Sequence, residues 1–94
     1  MTSPTKGKWI VKNLEKSKVP ANVVCDFLII NNSQTSSCNV GVRTPGSQGN
    51  IIKLDPKRNL SKKVRTDQKS RVELYFEKNS AVEYTLMGFF QINK

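Results

Sequence analysis

The sequence predicts an all-β fold: a compact antiparallel β-sandwich or small barrel of six to eight strands, with little or no helix. Three observations lead to this prediction. About seven strand-like runs follow one another at close spacing. All four prolines lie outside these runs, where they disturb no strand pairing. No stretch has the length and period of an amphipathic helix; an α+β fold is the alternative if residues 11–19 form a longer helix than one turn.

The 94 residues are enough for one domain with a small core. Residues 1–7 contain Ser, Thr, Pro and Gly and predict a flexible N-terminal tail. Residues 8–94 are expected to form a single β domain, whose first strand places Trp9 and Val11 on the same face.

The most apolar segment is residues 22–30, in which both alternating rows are largely apolar. This pattern is typical of a central strand covered on both faces, or of a strand with one face buried by a partner. Asp26 interrupts the pattern, and we expect its carboxylate near a strand end, solvated or paired with a lysine. The row expected to face the core consists of Val23, Cys25, Phe27 and Ile29.

Three shorter strands are predicted in the middle of the chain, at residues 38–43, 51–54 and 60–66. Gly41 interrupts the first of them and indicates a bulge or a close backbone contact. The side chains of that strand expected to face the core are Cys38, Val40 and Val42.

Cys25 and Cys38 are the only cysteines. We expect two free thiols, one of them buried, with a disulfide between neighbouring strands as the alternative. Two cysteines and no histidine are too few soft ligands for a zinc site. Neither a metal nor another cofactor is predicted.

Residues 71–92 give the clearest strand pattern, with alternating runs at 71–77 and 82–92 separated by a turn-prone break. The pattern predicts a β-hairpin. Met87 and Phe89 fall in the outer row of its second strand, where they cover a second layer, a neighbouring subunit or an apolar ligand, or are covered within the same chain. The row of that strand expected to face the core consists of Val82, Tyr84, Leu86, Gly88, Phe90 and Ile92.

The composition argues against an enzyme. Without histidine the chain lacks Ser–His and Cys–His pairs and the usual general base near neutral pH. Glu73 and Glu83 fall in neighbouring predicted strands, but solvated charges on a sheet face are a better interpretation than a catalytic pair. Gly46 and Gly49 bound a G-x-x-G loop, for which a plain turn is favoured over a phosphate site. No small-molecule substrate is predicted.

The net charge of +9 favours polyanionic partners. Residues 53–71 contain eight cations and two acids, and we expect a cationic stripe across a hairpin there to bind nucleic acid or an acidic protein surface. Tyr75 is the only aromatic expected beside the stripe, so base reading is not predicted. The alternative is an edge hairpin that its lysines keep from aggregating. The predicted polyanion-binding residues are Lys53, Lys57, Arg58, Lys62, Lys63, Arg65, Lys69 and Arg71.

A second functional hypothesis is a structural subunit. Such a subunit would self-assemble into an oligomer or particle through the apolar faces of strands 22–30 and 82–92, with Met87 and Phe89 at the interface. The sequence has no secretion signal and no apolar segment of transmembrane length. This absence predicts a cytoplasmic or particle-associated protein.

Overall fold

The computed structural model describes residues 7–15, 18–78 and 80–91, and within them it contains eight strands and no helix. The all-β prediction is therefore confirmed. The predicted tail at residues 1–7 lies outside the described residues except for Gly7. The strands are β1 (Lys8–Asn13), β2 (Val24–Asn31), β3 (Cys38–Val40), β4 (Val42–Arg43), β5 (Ile52–Leu54), β6 (Asn59–Arg65), β7 (Arg71–Phe76) and β8 (Val82–Phe90).

The strands form three small antiparallel sheets. The back sheet has the order β1-β7-β4, the front sheet has the order β6-β2-β8, and β3 pairs with β5 in a two-stranded ribbon. Buried side chains from all three sheets belong to one hydrophobic cluster. The architecture is a small β-sandwich completed by the ribbon.

The core contains the rows that the sequence pattern predicts for β2, β3 and β4. In β2, Cys25, Phe27 and Ile29 are at most 1% exposed, while the residues between them are half-buried. Val40 is fully buried in β3, and Val42 is buried in β4. The alternation of residues 22–30 therefore predicts correctly which face of β2 packs in the core. The side chains on the other face are half-buried.

Both cysteines are free and buried. The prediction of free thiols is confirmed, and both of them are buried where one was expected to be. Burial raises the pKa of the Cys25 thiol. Burial, and then the negative charge of Glu77, raise the pKa of Cys38. The two side chains are therefore neutral at pH 7 and act as small apolar groups in the core.

The predicted hairpin of residues 71–92 does not form. β7 pairs with β1 and β4 in the back sheet, whereas β8 pairs with β2 in the front sheet. The rings of Phe76 and Tyr84 meet edge to face with centroids 5.0 Å apart, so the two strands contribute to opposite sides of the core. The alternation of side chains indicates which face of a strand is buried. The same alternation results whether two strands pair within one sheet or pack against each other from two sheets, so it does not predict the hairpin.

Tyr75 is buried, at 3% exposure, and the expectation that it lies on an open face is wrong. Trp9 pairs with it across β1 and β7 and covers it, with ring centroids 5.4 Å apart. The Arg43 guanidinium in turn lies 4.1 Å from the Trp9 ring centroid, as in a cation–π contact. Gly41 makes the predicted close contact, because a Cβ there would lie 2.9 Å from the Trp9 ring.

Asn31 anchors the end of β2 from a fully buried position. Its side-chain amide donates hydrogen bonds to the carbonyls of Ser36, Leu54 and Asp55 at 2.9–3.2 Å, and its Oδ1 accepts one from the Ser33 N–H. One side chain thereby ties the loop after β2 to the end of β5, and it satisfies the carbonyl of Leu54, which is buried.

The Tyr84 hydroxyl ties the front sheet to the back sheet. It donates a hydrogen bond to the Tyr75 carbonyl at 2.5 Å and accepts one from the Gly41 N–H at 3.1 Å. Burial is the largest of the effects that raise the pKa of Tyr84 to about 12, so the hydroxyl keeps its proton. Gly41 and Tyr75 are both buried, so the Tyr84 hydroxyl replaces water as the hydrogen-bond partner of these two backbone groups.

Tyr84→Phe is expected to lower the free energy of unfolding by ~1–3 kcal/mol, because it leaves a buried N–H and a buried carbonyl without this partner. Urea denaturation at pH 7 measures the change. Tyr75→Phe is the matched control, since the Tyr75 hydroxyl makes no hydrogen bond within the described residues, and we expect a change under ~0.5 kcal/mol. Equal losses in the two variants would contradict a bridging role for Tyr84.

Candidate binding surfaces

The outer face of the front sheet carries cations along one edge. Residues directly opposite each other in an antiparallel pair point to the same face. Lys63 and Arg65 of β6 lie opposite Asp26 and Val24 of β2. All four point outward, because Cys25, which alternates with them, is fully buried. The other apolar side chains of β2 on this outer face are Leu28 and Ile30.

A β-bulge in β8 adds an aromatic ring to the same face. The register of β2 against β8 shifts by one residue between Asp26 and Phe27, which leaves Met87 without a partner. Since side chains alternate, residues beyond the bulge exchange faces. Phe90 consequently lies opposite Val24 and is 54% exposed. The expectation that Phe90 belongs to the core row is wrong, and Ile92 of the same predicted row lies outside the described residues.

The bulge also separates the two predicted interface residues. Met87 is 61% exposed at the bulge, whereas Phe89 lies opposite the core residue Cys25 and is 38% exposed. They are both accessible, but they do not share an outer row as the alternation implies. Gly88 is the sequence signal that marks this position, because an isolated glycine inside a strand is typical of a bulge.

The eight predicted cations do not form one stripe, because β6 and β7 belong to different sheets. Lys63 and Arg65 share the outer face of the front sheet. Lys62 lies opposite Phe27 on the core side of β6, where the edge of the sheet lets a long side chain extend to water. The remaining predicted cations are elsewhere: Lys53 in β5, Lys57 and Arg58 in the turn before β6, and Lys69 and Arg71 at the connection to β7.

Arg71 is held by Asp67 and has a structural partner. Its Nη2 lies 2.8 Å from Oδ2 of Asp67, and its backbone N–H donates to Oδ1 of the same carboxylate at 2.8 Å. Burial acts to raise the pKa of Asp67, but the hydrogen bonds from Arg71 and Lys69 and the charge of Arg71 outweigh it and lower the pKa. Asp67 thus organises the loop that carries the chain from the front sheet to the back sheet.

Asp26 is an acidic residue at the centre of the outer face. It is the third residue of the central strand β2, opposite Lys63 on one side and Gly88 on the other, and it forms no ion pair with a lysine among the described residues. Its Oδ1 is buried and has no hydrogen-bond partner among the described residues. This carboxylate reduces the positive potential beside Lys63.

The two glutamates predicted to be neighbours are in different sheets. Glu73 belongs to the back sheet, where its carboxylate accepts a hydrogen bond from Arg43 Nε, and Glu83 belongs to the front sheet. The G-x-x-G loop forms a turn in which the Thr44 carbonyl accepts a hydrogen bond from the Ser47 N–H at 3.0 Å. Gly46 adopts a φ of 88° there, which only glycine adopts readily.

An apolar cleft of about 340 Å³ lies between the edge strands β1 and β8. Phe27 and Leu74 belong to the core cluster and form part of its lining, and Leu86 of β8 lines it as well. Lys12 of β1 is the one charged side chain among the described residues that line it. No sequence pattern predicts this cleft, because it depends on which strands are at the sheet edges.

Comparison of this chain with models of known protein families, with curated proteins and with solved structures gave no match. Within the part of the chain that the structure describes, no helix is long and apolar enough to cross a membrane.

Asp67→Asn is expected to lower the free energy of unfolding at pH 7 by about 1 kcal/mol, because it removes the charge from the contact with Arg71. A carboxylate with a depressed pKa stabilises the fold above its unfolded-state pKa of about 3.9. That stabilisation is lost as the pH falls through the folded-state pKa. Urea denaturation should show the difference between wild type and variant at pH 7 and its decrease as the pH falls below the unfolded-state pKa. Glu83→Gln, at an exposed carboxylate, is the control, and a loss equal to that of Asp67→Asn would contradict the assignment.

Proposed function

We propose that the protein is a non-enzymatic binding module that docks on a polyanion, and that this polyanion is single-stranded nucleic acid. The observation that carries the proposal is the row formed by Arg65, Val24 and Phe90 across the outer face of the front sheet. It places a cation at one edge and an exposed aromatic ring at the other. With strands ~4.8 Å apart, the two side chains start about 10 Å from each other.

This arrangement supports single strands over other polyanions. A cation beside the strand neutralises backbone phosphates, and an exposed aromatic ring stacks on an unpaired base. A duplex keeps its bases stacked on each other and offers no free base to Phe90. An acidic protein surface would use the cations but not the ring.

The electrostatic contribution is expected to be moderate at the face itself. Lys63 and Arg65 form no ion pair among the described residues, which leaves both available to phosphates. Asp26 lies next to Lys63 and offsets part of its charge. The overall charge of +9 still attracts a polyanion from a distance. Two phosphate contacts predict a slope of about −1.4 for the logarithm of the association constant against the logarithm of the salt concentration.

Lys63→Glu combined with Arg65→Glu is expected to weaken binding of a labelled twelve-nucleotide single strand at least tenfold at low salt, measured by fluorescence anisotropy. The control is Lys53→Glu combined with Lys69→Glu, which changes the net charge equally but at exposed positions away from the outer face. We expect that control to retain affinity within about threefold. Equal losses would show that net charge, and not this face, determines binding.

Phe90→Ala tests the stacking contact separately. Removing one stacked ring weakens binding of a base by ~1–3 kcal/mol, so we expect about a tenfold loss for the single strand. Affinity for heparin, which has no bases, should be unchanged. If Phe90→Ala leaves single-strand affinity intact while the double charge reversal removes it, the partner is recognised by charge alone and an acidic protein surface becomes the better assignment.

Self-assembly is the second candidate function, and the same face favours it. The outer row of β2 is half-buried and apolar at Val24, Leu28 and Ile30, and Met87 and Phe90 extend that surface into β8. β8 is an edge strand, and Glu83 is the one charged residue among its nine residues. Apolar edge strands with few charges are prone to association, although the bulge shortens the stretch available for pairing.

If the face assembles, Met87→Lys is expected to convert a defined oligomer into a monomer, because it places a charge on the most exposed apolar side chain of the edge strand β8. Light scattering across a hundredfold range of protein concentration measures the mass. Lys78→Met, at an exposed position outside both sheets, is the control for added or removed charge. A wild-type protein that stays monomeric over the whole range would contradict self-assembly. An oligomer dissolved by the single strand would show that both candidates use one face.

A further inference from the structure

We propose that the cleft between β1 and β8 is a binding site for a small amphipathic anion, a free monocarboxylate with a single apolar chain. The site is distinct from the outer face of the front sheet, and the inference does not depend on the proposed function. It rests on the lining of the cleft and on the position of one lysine at its rim.

The cleft reaches the core because the sandwich is open between two edge strands. β1 is an edge of the back sheet and β8 is an edge of the front sheet. At the inner end of the cleft, Phe27 is 1% exposed and Leu74 is 5% exposed. Phe27 and Leu74 therefore form the closed floor of the cleft, and a ligand that enters between the strands lies mainly against exposed Ile10 and half-buried Tyr84 and Leu86.

The strand register explains why β1 leaves this space. Ile10 lies opposite Leu74 and Lys12 lies opposite Val72, and both partners are buried. Ile10 and Lys12 therefore point to the core side of the back sheet. Ile10 is nevertheless 45% exposed and Lys12 is exposed, so the side chains of the front sheet do not cover them.

The lining is apolar except at the rim. The Tyr84 hydroxyl is already engaged by Tyr75 and Gly41, so Tyr84 contributes its ring to the cleft, beside Leu86. Lys12 supplies a charge where the cleft meets solvent. An apolar interior with one cation at its mouth complements an apolar chain that ends in one anionic group, since the chain leaves water and the head stays near Lys12.

The size of the cleft selects a short chain. Its volume is about 340 Å³, and a water molecule occupies ~30 Å³ of liquid, so the cleft has room for about eleven water-sized groups. Decanoate has a comparable number of non-hydrogen atoms and is a suitable probe. A polyanion is a poor fit, because one lysine at the mouth cannot neutralise a chain of charges.

The test is calorimetric titration of the full chain with decanoate, kept below the concentration at which it self-associates. We expect saturable binding of one decanoate per chain. 1-Decanol and decyltrimethylammonium have the same apolar chain with a neutral or a positive head, and both are expected to bind at least tenfold more weakly than decanoate. Equal binding of decanol would overturn the assignment of an anionic ligand.

Two variants locate the site. Lys12→Glu is expected to weaken decanoate binding about tenfold, whereas Lys53→Glu, the same change of charge on β5, should leave it within twofold. Ile10→Glu places a carboxylate at the mouth and should abolish binding. Ile10 and Lys12 are exposed, and circular dichroism and thermal unfolding are expected to confirm that both variants fold as wild type does.

Several results would overturn the inference. Absence of saturable decanoate binding would do so, as would binding that Lys12→Glu and Ile10→Glu leave unchanged. A dimer whose formation protects the cleft and that decanoate does not displace would assign the cleft to a second copy of the chain. Sedimentation with anionic lipid vesicles that depends on Lys12, without binding of free decanoate, would assign it to a membrane lipid.

Discussion

The register of the front sheet depends on the buried amide of Asn31. Its bonds to the carbonyls of Leu54 and Asp55 fix the end of β5 against the end of β2, and its backbone pairs with Lys57 and Arg58 in the turn that begins β6. A shift of one residue in β6 would exchange its two faces and turn the outer cations toward the core. The Asn31 side chain thus holds the end of β5, and its backbone holds the turn from which β6 begins, in the register that presents Lys63 and Arg65 outward.

The bulge in β8 changes the register at the other edge of the front sheet, where β8 pairs with β2. β6 keeps one register against β2 along its whole length, whereas β8 changes register once at Met87. The change brings Phe90 to the face where β6 displays Lys63 and Arg65. The candidate nucleic-acid surface thus results from regular pairing on one side of β2 and irregular pairing on the other.

The sequence predicts the fold class and the inner rows well, because burial of one strand face leaves a period of two in residues such as Cys25, Phe27 and Ile29. It does not predict strand partners, which is why the hairpin of residues 71–92 is wrong. Tyr75 is buried because Trp9, distant in sequence, stacks on it, and Phe90 is exposed because of the bulge. The basic stretch is real as composition, but its members separate because the chain changes sheets after β6.

Within the described residues, no strand pairs with the strand that precedes or follows it along the chain. Even the nearest partners in sequence, β3 and β5, have β4 between them. Each pairing therefore closes a long loop before it gains contacts, and chains of such topology fold slowly, on the scale of milliseconds to seconds. The front sheet is complete only when β8 pairs with β2. During synthesis the apolar side chains of β2 therefore stay exposed until β8 has left the ribosome.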